Sequence, residues 1–149
     1  MYYILKDNKI VLYDENRTRL ENTIKFMPQH AESEIQETER LIVDFEFADT
    51  PEWQEQQAEK ERERIGNLQI TKRVFALSLQ ELGVTYSQLK ELIATNEQAQ
   101  LEWDLCVELQ RKNPLIDVMA VQLGIMPAMI DYIFQKANGE DVILPDIGQ

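Results

Sequence analysis

Two spacings of apolar residues divide the chain. Near its start they fall in short, β-prone runs, and from about residue 67 they recur every three or four positions. "YYIL" and "KIVLY" flank the polar "KDN", which predicts a β-hairpin. In "DENRTRLENTIKFM", Leu20, Ile24 and Met27 share one helical face, with Asp14 as the expected N-cap and Pro28 as the stop. "RLIVDFEFAD" alternates. That predicts a strand with Leu41, Val43, Phe45 and Phe47 on a buried face, and Asp44 and Glu46 on a solvated one. With a short extra strand near Ile35, residues 1–50 read as a small ββαβ unit.

The pattern then changes. In "TPEWQEQQAEKERERIG", Thr50 and Pro51 mark a helix start, yet beyond Trp53 and Ala58 nothing apolar follows until Ile65. A helix polar all round is a solvated linker, so residues 51–66 are expected to be one. Its Glu59–Arg62 and Glu61–Arg64 pairs are each worth about 0.2–0.5 kcal/mol. Gly66 lets the chain turn and marks the expected boundary.

Residues 67–139 read as an all-helical bundle, with a tail over 140–149. Thr71 should cap a helix whose inner face is Phe75, Leu79 and Leu82, with Gly83 at its C-terminal turn. Thr85 with Gln88, and Thr95 with Gln98, both have the spacing of a capping box. "NEQAQLEWDLCVELQRK" is apolar round most of a helical circumference, with Glu97, Asp104, Glu108 and Arg111 in one charged arc. It is therefore expected to form the central helix of a five-helix module, supported by a Glu108–Lys112 pair. Asn113-Pro114 ends it, and two further helices meet at Gly124.

"LGVTYSQLKELI" (82–93) and "LGIMPAMIDYIF" (123–134) align position by position, so the module reads as two helix-turn-helix corners clasping the central helix. The second corner has the glycine and apolar plugs of a DNA reader. It lacks the outward basic or amide side chains that readout and phosphate neutralisation demand. The corner is expected to be structural, which leaves a DNA-binding regulator as a third alternative to the two readings given below.

Composition sharpens this. The net charge is −12, and the isoelectric point is near 4.5, which disfavours direct contact with nucleic acid or an anionic membrane. The start lacks the pattern of a signal peptide, and no apolar run approaches the ~20 residues of a membrane span. A lone cysteine, Cys106, suits a reducing compartment and is expected to be a buried structural thiol. The single histidine, His30, is expected in a solvated loop. With no second histidine or cysteine, no glycine-rich phosphate loop, no G-x-S-x-G and no H-E-x-x-H, the residues point to no catalytic, cofactor or metal site.

"MYYILKDNKIVLYDENRTRLENTIKFMPQH" followed by "IVDFEFADTPEWQEQQAEKERERI" resembles small proteins of the tail region of phages and prophages. Those pair a β-rich head with a charged helix and a variable end. "TKRVFALSLQELGV", "LEWDLCVELQRKNPLIDVMAVQLGI" and "IDYIFQKA" resemble a helical module of the same neighbourhood. The resemblance implies a non-enzymatic tail-associated or tail-assembly accessory acting on a phage tail component, in the host cytoplasm or on the virion. The expected contacts are Trp53 and, in the apolar tail, Val142, Ile143 and Leu144. The alternative is an acidic inhibitor such as an anti-CRISPR or another counter-defence protein. It would use Glu32, Glu34, Glu37 and Glu39 to mimic a phosphate backbone and block a basic host nuclease. Self-association is a further expectation.

Overall fold

The computed structural model describes residues 1–146 and is α+β, as the residue pattern predicts. It divides into two compact units, Met1–Lys60 and Glu61–Gln149, the division falling inside one helix.

In the first unit, β1 (Tyr2–Lys6) and β2 (Lys9–Asp14) form the expected hairpin. Its two-residue turn is Asp7–Asn8, both at positive φ (53° and 60°). Short polar side chains tolerate that region, and its twist matches the flanking strands. The helix α1 (Arg17–Lys25) is capped by Asn16, whose side chain accepts from Arg19 N; Asp14, the expected cap, accepts from Asn16 N at 2.7 Å. The cap is displaced because Asp14 still pairs with Tyr2 as the last residue of β2. The extra strand is β3 (Gln36–Glu37), which adds to the free edge of β1. Ile4, Ile10, Leu20 and Ile42 are the buried core of this unit.

The single strand expected over "RLIVDFEFAD" is instead a tight hairpin. β4 (Ile42–Val43) pairs with β5 (Glu46–Phe47), and Asp44 and Phe45 occupy the turn at φ of 50° and 65°. Ile42 is buried while Leu41 and Phe45 are exposed; Val43 and Phe47 are half-buried and Asp44 and Glu46 exposed, so the expected inner face is kept only in part. A phenylalanine in the left-handed region costs roughly 1–2 kcal/mol. Two edge-to-face contacts offset it: Phe45 with Tyr13 at 5.2 Å and Phe47 with Tyr3 at 5.5 Å. Arg40 completes the clasp, forking onto Asp49 and lying 3.8 Å over the Phe47 ring. That pairing holds the Asp49 carboxyl below its ordinary range. His30 is also corrected. It ends a 3₁₀ turn, Pro28–His30, that tucks the ring inside, and its Nδ1 is buried with no hydrogen-bond partner among the described residues.

The helix α2 (Pro51–Gly66) starts as read, with Thr50 Oγ1 accepting from Trp53 N, and it buries no residue. In the second unit Arg64 pairs with Glu61 at 2.7 Å, as expected, and also with Glu140. Glu61 and Glu140 are held below the usual carboxylate range by that guanidinium.

Five helices follow among the described residues: α3 (Lys72–Glu81), α4 (Tyr86–Ala94), α5 (Glu97–Leu105), α6 (Pro114–Gln122) and α7 (Pro127–Ala137). Thr71 caps α3, and Thr85 with Gln88 forms the capping box of α4. The second box is corrected. Asn96 caps α5, while Thr95 ends α4 by donating its hydroxyl to Leu92 O. Leu82, expected on the inner face of α3, is its exposed end residue.

Both corners are real, and their hydrogen bonds repeat. Gly83 and Gly124 stand at positive φ (90° and 69°). After α3, Gly83 N donates to Gln80 O and Val84 N to Leu79 O; after α6, Gly124 N donates to Val121 O and Ile125 N to Ala120 O. The aligned plugs Leu89 and Ile130, and Ile93 and Phe134, are buried in one core with Phe75, Leu79 and Ile116.

The long central helix is shorter than expected. It ends at Leu105, Cys106 turns extended, and Glu108–Gln110 forms β7, antiparallel to β6 (Gln69–Thr71). Ile70 faces Leu109 across the ribbon, and both are buried. No glycine or proline marks the break. What ends the helix is a partner strand distant in sequence, which satisfies the backbone groups that α5 gives up. The Glu108–Lys112 helical pair does not form, and Lys112 Nζ donates to Asn67 instead.

Candidate interaction surface

The break after α5 leaves an exposed apolar surface on the second unit. Leu101 and Leu105, one helical turn apart, stand outward at 52% and 75% exposure, and Val107 follows at 77%. Only Ala99 and Trp103 of α5 are buried. Beside this crest runs a groove of about 330 Å³ lined by α5, β7 and the start of α6. Leu105, Cys106, Leu109, Leu115 and Met119 give it an apolar lining, and Glu102 and Glu108 give it an acidic rim. Asn113 and Gln98 donate to the two Glu102 carboxylate oxygens at 3.1 and 3.2 Å, holding that carboxyl below its usual range and charged at neutral pH. Cys106, expected to be buried, is half-buried in the groove wall. The alternation across Val107–Gln110, where Leu109 alone is buried, was the signal that could have revealed this surface.

Behind the ribbon lies a polar cluster around Arg111, which the residue pattern places in the charged arc of the central helix. Arg111 is 8% exposed. Its Nε donates to Asp131 at 2.6 Å and its Nη1 to Asp117 at 2.8 Å, which ties the residue just after β7 to α7 and α6. Nothing local announces it. The two acids lie on helices whose approach is set by the corners.

The residues predicted as contacts fall in separate places. Glu32, Glu34, Glu37 and Glu39 are all exposed along the segment containing β3. Trp53 is half-buried and lines a concavity of about 510 Å³ with Phe45, Phe47, Leu5 and Ile10. Val142 is half-buried, Ile143 is 93% exposed, and Leu144 is 54% exposed. Among the described residues no three His, Cys, Asp or Glu side chains converge as a metal set would, and no helix is long and apolar enough to cross a membrane. No known protein family, no curated protein and no solved structure matches this chain.

Proposed function

We propose that this chain is a non-enzymatic protein-interaction protein, a tail-associated or tail-assembly accessory of a phage or prophage that works through protein contacts in the host cytoplasm or on the virion. The observation that supports it is the Leu101–Leu105–Val107 crest beside its apolar, acid-rimmed groove. Apolar side chains set side by side on a surface mark a contact site, and the carboxylates on the rim favour a partner face that is apolar with cations round it. The tail-region resemblance supplies the partner class. Leu105→Asp should leave the circular dichroism spectrum unchanged and weaken binding to a purified tail component by about tenfold or more, because a charge would then be buried at the contact. Surface plasmon resonance against the tail proteins of the phage that encodes the chain tests this. Indifference to every one of them would refute the reading.

A second reading rests on Glu32, Glu34, Glu37 and Glu39 being exposed together. As a phosphate-backbone mimic, the chain would bind a basic nuclease in a salt-sensitive way, and changing the four to Gln should abolish that binding. Salt-insensitive binding, or none, removes this alternative.

A further inference from the structure

A second groove, of about 380 Å³ and with the opposite charge, is lined by α3, by Tyr86 at the start of α4 and by Trp103 of α5. Ala76, Leu77, Tyr86 and Trp103 give it an apolar lining, and the charged residues that line it are Lys72 and Arg73. Lys72 Nζ donates to the Trp103 carbonyl and lies 5.6 Å from the Trp103 ring centroid. Lys90 lies outside the lining, with its ammonium 5.8 Å from the Tyr86 ring. The unit Glu61–Gln149 has 13 Asp and Glu against 8 Lys and Arg. Even so, Lys72, Arg73 and Lys90 form no ion pair among the described residues; Lys112 and Lys136 share that state, but neither lines this groove. Two cations in an apolar lining, with a third beside Tyr86, and none of them paired with a carboxylate, fit an acidic segment with apolar anchors.

The chain itself contains such a segment. After Glu140, which Arg64 holds, comes Asp141-Val142-Ile143-Leu144-Pro145-Asp146: three apolar residues between two carboxylates. Residues 141–146 make no hydrogen bond or ion pair among the described residues, and Ile143 and Leu144 stand in solvent. Within one chain Val142 and Pro145 are half-buried, but Ile143, Leu144 and both carboxylates are left exposed. We propose that the groove of one copy receives the Asp141–Asp146 segment of a second copy, with Asp141 and Asp146 meeting Arg73, Lys72 and Lys90 and with Ile143 and Leu144 against Leu77 and Tyr86. Reciprocal exchange closes a two-fold dimer, and two weak arms acting together hold it by raising each other's effective concentration. This contact uses a different groove from the Leu105 surface, so either reading can fail alone.

The test is a charge swap on the full chain, read by analytical ultracentrifugation across a concentration series. Wild type should dimerise, less so as salt rises. Arg73→Glu should weaken dimerisation by about tenfold or more, as should Asp141→Lys with Asp146→Lys. All three sites are solvent-exposed, and a glutamate in the first turn of α3 suits the helix dipole, so folding is not at risk. An equimolar mixture of the two variants should recover a heterodimer, because each groove then meets a segment of opposite charge. Leu105→Asp should dimerise like wild type. A wild type that stays monomeric at every concentration overturns the proposal, and so does an Arg73→Glu variant that dimerises normally, a mixture that does not recover, or loss of the dimer in Leu105→Asp.

Discussion

Replacing Asp117 and Asp131 together with Ala should destabilise the second unit by about 3 kcal/mol, more than removing the arginine they hold. The asymmetry follows from burial. The Arg111 side chain is 10% exposed, whereas those of Asp117 and Asp131 are 55% and 36% exposed. Without its acids the guanidinium is left in a poorly hydrated site with no counter-charge. Without the arginine the carboxylates turn to water, so Arg111→Met should cost only about 1 kcal/mol. Urea unfolding followed through Trp103, in a Trp53→Phe background, isolates this unit, which matters because two compact units need not unfold together. Equal losses from the two changes, or a larger loss from Arg111→Met, would show that the cluster is held by packing rather than by charge.

Phe134→Ala should be more damaging still. The ring is fully buried, packs at a tilt 6.1 Å from Phe75, and sits where the second corner closes on the core. Truncating such a phenylalanine removes its transfer energy and leaves a cavity, together about 3–5 kcal/mol. Small domains hold only about 5–15 kcal/mol in total, so this variant should lie close to its unfolding midpoint at physiological temperature. Its aligned partner, Ile93, is a smaller residue at the matching place in the first corner, and Ile93→Ala should cost less, about 2–4 kcal/mol. Thermal unfolding by near-ultraviolet circular dichroism compares them. A Phe134→Ala variant that melts within a few degrees of wild type would mean that the two corners are not fastened through this ring.

The sequence spoke most clearly where structure is decided within a few residues. "KDN" between two β-prone runs needs only a two-residue turn, and Thr85 with Gln88 needs only one helical turn. Both stand as read. The glycines of the two corners were legible for the same reason. The errors share another cause. Leu105 to Lys112 has good helical spacing and no breaker, yet the helix stops at Leu105 and Glu108–Gln110 becomes a strand because β6 lies ready to pair with it. "IVDFEF" has good alternation, yet Phe45 is forced into the turn because Tyr13 offers its ring an edge contact. In each case a distant partner outweighed a local preference of a few tenths of a kcal/mol. The groove beside α5 is a product of that break, and the short Val107–Gln110 alternation is the one local trace of it in the sequence.

The β6–β7 ribbon has one more consequence, and it concerns time rather than energy. Its two strands are the ends of a loop that contains all of α3, α4 and α5. The helices and their glycine corners form from local contacts, but the ribbon can zip only after that whole loop has closed, so its pairing belongs late in folding. The same geometry makes it a latch on the way out. Amide exchange at Ile70 and Leu109 would report the opening of the ribbon, and that opening is also what would dismantle the groove lined by α5 and β7.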